Sequence, residues 1–433
     1  MRFTSTRDRS LDVGLREAVL RGMPADGGLY MPAALPRLAP ETVAGFAGLE
    51  FPAVAAAVAG TLFGDDVPMA DLERISADAF DFPVPLVQLG EEQYLLELFW
   101  GPTLAFKDFG ARFQSRLLSW LHRGEDRLLN ILVATSGDTG SAVASGFFGV
   151  PGMRVVVLYP RGRISRLQER QIATLGGNIA ALEVDGVFDD CQRLVKGAFA
   201  DGDLRRRLDI TSANSISVAR LLPQSFYYFY ALSRLAGPGR AAVAVPSGNF
   251  GNLTAGLMAR RMGLAVERFV AATNANDAVP EYLRSGKYRP RPSQATISSA
   301  MDVGDPSNFE RILDLGGGEW SAVRREICGS RWSDAETRAM IRRTHEESGY
   351  VLDPHGAVAL AGLQSFLSRH RGWRGIALAT AHPAKFPEVV EPLIGNTLEI
   401  PESLRQALDR EKTSIPLSAR YEDFREFLLS QPV

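Results

Sequence analysis

The spacing of apolar and polar positions divides the chain into two textures. Over roughly the first ninety residues alanine-rich apolar stretches such as "ETVAGFAGLEFPAVAAAVAGTLFG" recur at helical intervals, with breaks at Pro68 and at "DFPVPL". From about Glu97 short β-branched runs precede Gly/Ser/Asn loops and then helix-like segments: "LLNILVATSGDTGSAVASGFFG", "MRVVVLYPRGRISRLQERQIATLGG", "AAVAVPSGNFGNLTAGLMARRMG", "GIALATAHPAKF". Strands alternating with helices predict an α/β fold with parallel sheets covered on both faces. In such sheets ligands sit beyond the carboxyl ends of the strands, where these polar loops fall. The aromatic run "FYYFYAL" is expected in a core, and "SRWSDAETRAMIRRTHEESG" as a capped, solvated helix.

A chain of 433 residues is long enough for two or three domains. A formal net charge of −2 offers no basic field for nucleic acid or an anionic membrane. No run reaches the length of a membrane span and the N-terminal stretch has no apolar signal-peptide core, so the expected location is cytoplasmic. Cys191 and Cys328 are far apart and read as core hydrophobes, and the five histidines have no ligand spacing, so no metal is expected.

Three loops carry polar groups suited to anions. In "ATSGDTGSAVA" (134–144) a helix opening near Thr139 to Ser141 either is capped by Asp138 or Thr139 or turns its free N–H groups and the hydroxyls of Ser136, Thr139 and Ser141 to an anion. "VPSGNFGNLTAG" (245–256) combines two glycines with a following helix and favours a phosphate cradle over a bare turn. "TSANSISVAR" (211–220) is by itself a solvated loop, although its arginine would let it hold a phosphate.

Only five of the 48 basic side chains are lysines, and one of them, Lys107, stands between two phenylalanines in "GPTLAFKDFG". Lysine differs from arginine in that its amine can become neutral and attack a carbonyl. Phe106 and Phe109 are expected to give it an apolar setting. A lysine of this kind, a phosphate cradle and a carboxylate site are what a pyridoxal phosphate enzyme requires.

"GPTLAFKDFG", "ATSGDTG", "YPRGRIS", "NSISVAR", "PSGNFGNLTAG", "AATNAND", "AMDV" and "TAHPAKF" occur here in one order, and together the chain resembles the threonine synthase family, in its bacterial and fungal branch with a long N-terminal domain. The resemblance runs from "GGLYMP" to "TLEIP". It implies the tryptophan synthase β-like fold type II of pyridoxal phosphate enzymes: two parallel-sheet domains plus a mostly helical N-terminal domain. The implied division is 1–95 N-terminal, 96–102 with 236–400 as the large cofactor domain, 103–235 as a small mobile domain, and 401–433 as a helical tail.

Carried over by residue, the resemblance implies that Lys107 joins the cofactor as a Schiff base and that Gly248, Asn249, Phe250, Gly251 and Asn252 hold its phosphate. Asn252 stands where relatives are expected to carry aspartate. Asp138 would lie beside the ring hydroxyl and Thr380 at the pyridine nitrogen, while Ser136 and Thr139 take the substrate carboxylate. Ser212, Asn214 and Arg220 would bind the leaving phosphate. The implied reaction turns O-phospho-L-homoserine and water into L-threonine and phosphate by γ-elimination and β-hydration, in a monomer. A phospho-lyase releasing a 2-oxo acid would use the same residues, whereas a non-catalytic binder would have no need of Lys107. His382 and His355 are read as loop or capping groups.

Overall fold

The computed structural model describes residues 1–235 and 239–430. Residues 236–238, where the expected small and large domains meet, and 431–433, the end of the expected tail, lie outside them. The strands are β1 (Arg2–Ser5), β2 (Val13–Gly14), β3 (Tyr30–Pro32), β4 (Leu86–Gly90), β5 (Gln93–Glu97), β6 (Leu129–Ala134), β7 (Met153–Pro160), β8 (Ile179–Asp185), β9 (Asp209–Ser212), β10 (Arg240–Pro246), β11 (Arg268–Thr273), β12 (Ile327–Arg331), β13 (Trp373–Ala379) and β14 (Ile415–Ser418). The chain forms two compact units. One comprises Met1, Met31–Phe106 and Leu221–Glu399, the other Arg2–Tyr30, Lys107–Arg220 and Ile400–Val433.

The first unit is built on a sheet in the order β12-β11-β10-β13-β5-β4, parallel except for β4 at its edge. Its central strands are short apolar runs such as "AAVAVP", and helices cover them. The helix Pro354–Leu367 lays Ala357, Leu360, Ala361 and Leu363 among Ala242, Ala244, Val270 and Ala377 in one apolar cluster. Alanines on both sides allow a close approach. Because β5, β10, β11 and β13 run parallel, the loops that follow them all leave from one edge of the sheet. Those loops carry residues 98–106, 247–250, 274–277 and 380–386. The run "FYYFYAL" is buried as expected, with Phe51 against Tyr230 and Phe46 against Phe229.

The second unit has an all-parallel sheet ordered β14-β8-β7-β6-β9. Neighbouring β6 and β9 bring the loops 135–137 and 213–217 side by side at its carboxyl edge.

The compact units break the chain after residues 1, 30, 106, 220 and 399, against the boundaries after 95, 102, 235 and 400 that the resemblance implies. Residues 1–95 are shared between both units and include four short strands and the start of β5 as well as helices. The tail read as helical supplies β14, which pairs with β8 from Ile415↔Leu182 to Ser418↔Asp185. Strands of two to four residues carry too few alternations to stand out by periodicity. Both cysteines are free; Cys191 is buried and Cys328 half-buried. The Asp334–Ser348 helix opens on a capping box between Ser333 and Glu336.

Candidate active site

Lys107 is the first residue of the helix Lys107–His122. The preceding loop takes a conformation uncommon for a residue with a side chain, φ 56° at Leu104. Hydrogen bonds to the loop after β13 hold it there: Phe106 N–H donates to Thr380 O at 2.9 Å, His382 N–H to Leu104 O at 3.1 Å, and Lys385 Nζ to Thr103 O at 3.1 Å. The backbone of buried Thr380 is thereby fixed one residue short of Lys107. Lys385 thus ties the two loops together, and His382 is the capping group expected of it. His382 accepts Ala384 N–H on Nδ1, capping the turn Pro383–Lys385.

Lys107 Nζ stands 3.5 Å from Asp138 Oδ2, with the carboxylate 3 % and the lysine side chain 15 % exposed. The expected apolar setting is therefore only part of the environment: Phe109 is buried, but the amine also has an anionic neighbour. The loop that carries Asp138 is folded around Thr135, whose Oγ1 accepts the N–H groups of Gly137 (3.0 Å) and Gly140 (2.8 Å) and donates to Gly137 O (3.0 Å). Gly137 has φ 146°, a region open to glycine. A Cβ there would lie 2.4 Å from the amide of Gln168. The helix opens at Asp138 and no side chain caps it, so Asp138 and Thr139 are not caps. Instead Asp138 Oδ1 accepts Gln168 Nε2 at 3.0 Å. Ser136 is exposed and Thr139 half-buried.

In the neighbouring loop, Ser212 Oγ accepts Asn214 N–H (3.2 Å) and Asn214 Nδ2 donates to Ala134 O (2.8 Å), tying the ends of β6 and β9 together. Arg220 is 3 % exposed and donates to Ala213 O at 2.9 Å. Burial pushes its pKa down to about 10, opposed by Asp108. All three side chains thus hold the loop's own shape.

In the first unit, the loop after β10 turns through Phe250 at φ 61° into the helix Gly251–Arg261, whose first turn has no side-chain cap. Asn249 Oδ1 accepts Ser307 N–H (2.7 Å) and Oγ–H (3.0 Å). Asn252, 5 % exposed, accepts the hydroxyls of Tyr227 (2.7 Å) and Tyr228 (2.6 Å) on Oδ1, and its buried Nδ2 has no partner among the described residues. Uncapped N–H groups and an unanswered amide donor suit a phosphate. The residues therefore fit pyridoxal phosphate: an amine for its aldehyde and donors for its oxyanion. Among the described residues no cluster of metal ligands occurs, and no helix is long and apolar enough to cross a membrane.

Thr135 and Gln168 were missed by sequence reasoning. Thr135 directly precedes the "SGDTG" run, and Gln168 is the fourth residue of the capping box "SRLQ", a signal for a helix start but not for contact with Asp138.

The profile "Pyridoxal-phosphate dependent enzyme" matches residues 79–378, "Threonine synthase N terminus" residues 2–80 and "Threonine synthase, C-terminal" residues 356–428. A solved tomato threonine deaminase, 15 % identical with a TM-score of 0.58 over 87 % of this chain and 96 % of that one, shares the fold. Fold and site define a pyridoxal phosphate-dependent enzyme of fold type II. Threonine synthase from Escherichia coli is 43 % identical over 437 residues, 99 % of this chain and all of that one, and its crystal structure superposes with a TM-score of 0.92 over 99 % of each chain. A pyridoxal phosphate-bound threonine synthase from Brucella melitensis, 35 % identical, has a TM-score of 0.93 over 99 % of this chain and 98 % of that one. The chain belongs to the threonine synthase family.

Proposed function

We propose that this chain converts O-phospho-L-homoserine and water to L-threonine and phosphate, with Lys107 as the residue that both holds the cofactor and moves the protons. The observation that carries the residue assignment is the pairing of Lys107 Nζ with Asp138 Oδ2 at 3.5 Å. Pyridoxal phosphate, when bound, supplies an electron sink for charge that develops on the substrate carbon. Residues 248–252 are proposed to hold its phosphate, and Thr380 to face its pyridine nitrogen with a neutral hydroxyl. Once free of the cofactor, the amine of Lys107 takes the substrate's α-proton as general base and returns protons later. Asp138 fixes where that amine stands and stabilises it while it carries the proton.

Ser136 and Thr139, the more accessible hydroxyls of their loop, are proposed for the substrate carboxylate, aided by the uncapped helix N-terminus. The leaving phosphate is assigned to the loop of Ser212, Asn214 and Arg220, which their internal hydrogen bonds preorganise. The same reading has the enzyme at work as a cytoplasmic monomer without a nucleic-acid partner, supported by the family resemblance and the net charge of −2.

The test is an assay with O-phospho-L-homoserine that separates threonine from 2-oxobutyrate. Threonine and phosphate are expected in equal amounts, and Lys107→Ala is expected to lose activity by on the order of a thousandfold together with the imine absorbance band. Phosphate accompanied by 2-oxobutyrate alone would assign the protein to the lyase reaction instead.

A further inference from the structure

The helix Pro354–Leu367 opens on "DPH", and its cap is Asp353, whose Oδ1 accepts Gly356 N–H (2.9 Å) and Oδ2 accepts His355 N–H (2.9 Å). The imidazole of His355 is thus not the cap. Its Nδ1 lies 2.6 Å from Asp353 Oδ2, and its Nε2 lies 3.2 Å from Ala300 N. A backbone amide can only donate, so Nε2 accepts, and the ring proton sits on Nδ1 toward the carboxylate. Both side chains are buried. Asp353 therefore serves two purposes: it starts the helix and selects the tautomer that can receive Ala300.

Ala300 belongs to the segment 298–302, which is fixed at its far end as well. Asp302 Oδ1 accepts Thr296 Oγ1 (2.7 Å) and Asn274 Nδ2 (2.8 Å), and Oδ2 accepts Thr296 N–H (3.0 Å). Gly248 lies directly against this segment. A Cβ at Gly248 would stand 2.7 Å from Met301 Cα and 2.9 Å from Ala300 O, so the two backbones are in contact and neither can shift alone.

We propose that His355 is a positioning residue for the phosphate loop: its Nε2 fixes Ala300, and the backbone of residues 300–301 in turn sets where Gly248 and the N–H groups after it stand. The inference rests on reading 248–252 as the phosphate cradle, and it extends that site to a histidine that touches neither cofactor nor substrate. The imidazole acts by geometry, through a hydrogen bond whose direction Asp353 dictates.

The experiment compares equilibrium binding of pyridoxal phosphate and of pyridoxal, which lacks the phosphate, to the full apo-chain, each followed by its imine absorbance with Lys107. His355→Leu removes the acceptor, while His355→Gln sets a carbonyl oxygen near the place of Nε2. The preference for pyridoxal phosphate over pyridoxal is expected to fall about tenfold in the Leu variant, with pyridoxal binding unchanged, and to return in the Gln variant. An unchanged preference in His355→Leu, an equal loss for both compounds, or no recovery with Gln overturns the proposal. Should the Leu variant fail to fold, His355→Asn decides. Its shorter side chain can still donate to Asp353 but ends short of Ala300 N, and a retained preference there overturns the proposal. A wild-type chain that binds both compounds equally refutes the cradle reading itself, and the inference with it.

Discussion

His382 sits edge-on to Phe99 and Trp100, with ring centroids 5.3 and 5.8 Å away. Burial pushes its pKa down from 6.5 to about 4, opposed by Asp353 and reinforced by Lys385. Between those values the unfolded chain binds a proton that the folded chain does not, so stability rises with pH across that window. The contribution is fully present above about pH 6.5 and is lost as the pH falls toward 4. Denaturant titrations from about pH 7 to about pH 4.5 are expected to show a loss on the order of 2 kcal/mol from this group, reduced in His382→Asn, whose side-chain oxygen can still accept Ala384 N–H. At this scale the sequence was legible where a residue's chemistry is unusual for its surroundings. Lys107 stood out because the chain writes its cations as arginine, and the glycines of 248–251 because few other roles need them. Thr135 and Gln168 were hidden, since an ordinary hydroxyl and an ordinary amide gain meaning only from the backbone that folds back onto them. His355 was visible as the start of a helix, but its link to Ala300 crosses 55 residues of chain.

The alternation of β-branched runs with helical stretches located β6 and β7 in one sheet and β10 and β13 in the other, because buried parallel strands must be apolar throughout, while β5 and β8 went unread. Elements at the edges escaped, β14 among them. The run "IPLS" has one buried apolar residue and a proline, yet it extends the second unit's sheet by pairing with β8. Leu417 packs there into a cluster with Leu182, Val184 and Phe424. Leu417→Ala is expected to lower the stability of that unit by about 2 kcal/mol, at the low end for a buried leucine because the site is near the sheet edge, as read by circular dichroism during denaturation. Wild-type stability in that variant would mean that β14 merely rests on the sheet.

Each unit has its own sheet and its own apolar clusters, and the five tryptophans divide unevenly between them: Trp100, Trp320, Trp332 and Trp373 belong to the first unit, Trp120 alone to the second. Tryptophan emission therefore reports mainly on the first unit, whereas far-ultraviolet dichroism reports on both. The two probes are expected to give non-coincident denaturation curves, and superimposable curves would show that the units unfold as one. Neither unit is continuous in the chain, which passes between them after residues 1, 30, 106, 220 and 399. That interleaving bears on how the molecule is made. A ribosome releases the chain from its N-terminal end, so the six strands of the first unit's sheet have all emerged once residue 379 is out, while the second unit's sheet still awaits β14 at 415–418. The half of the molecule that carries Lys107 is thus the later of the two to gain its full complement of strands.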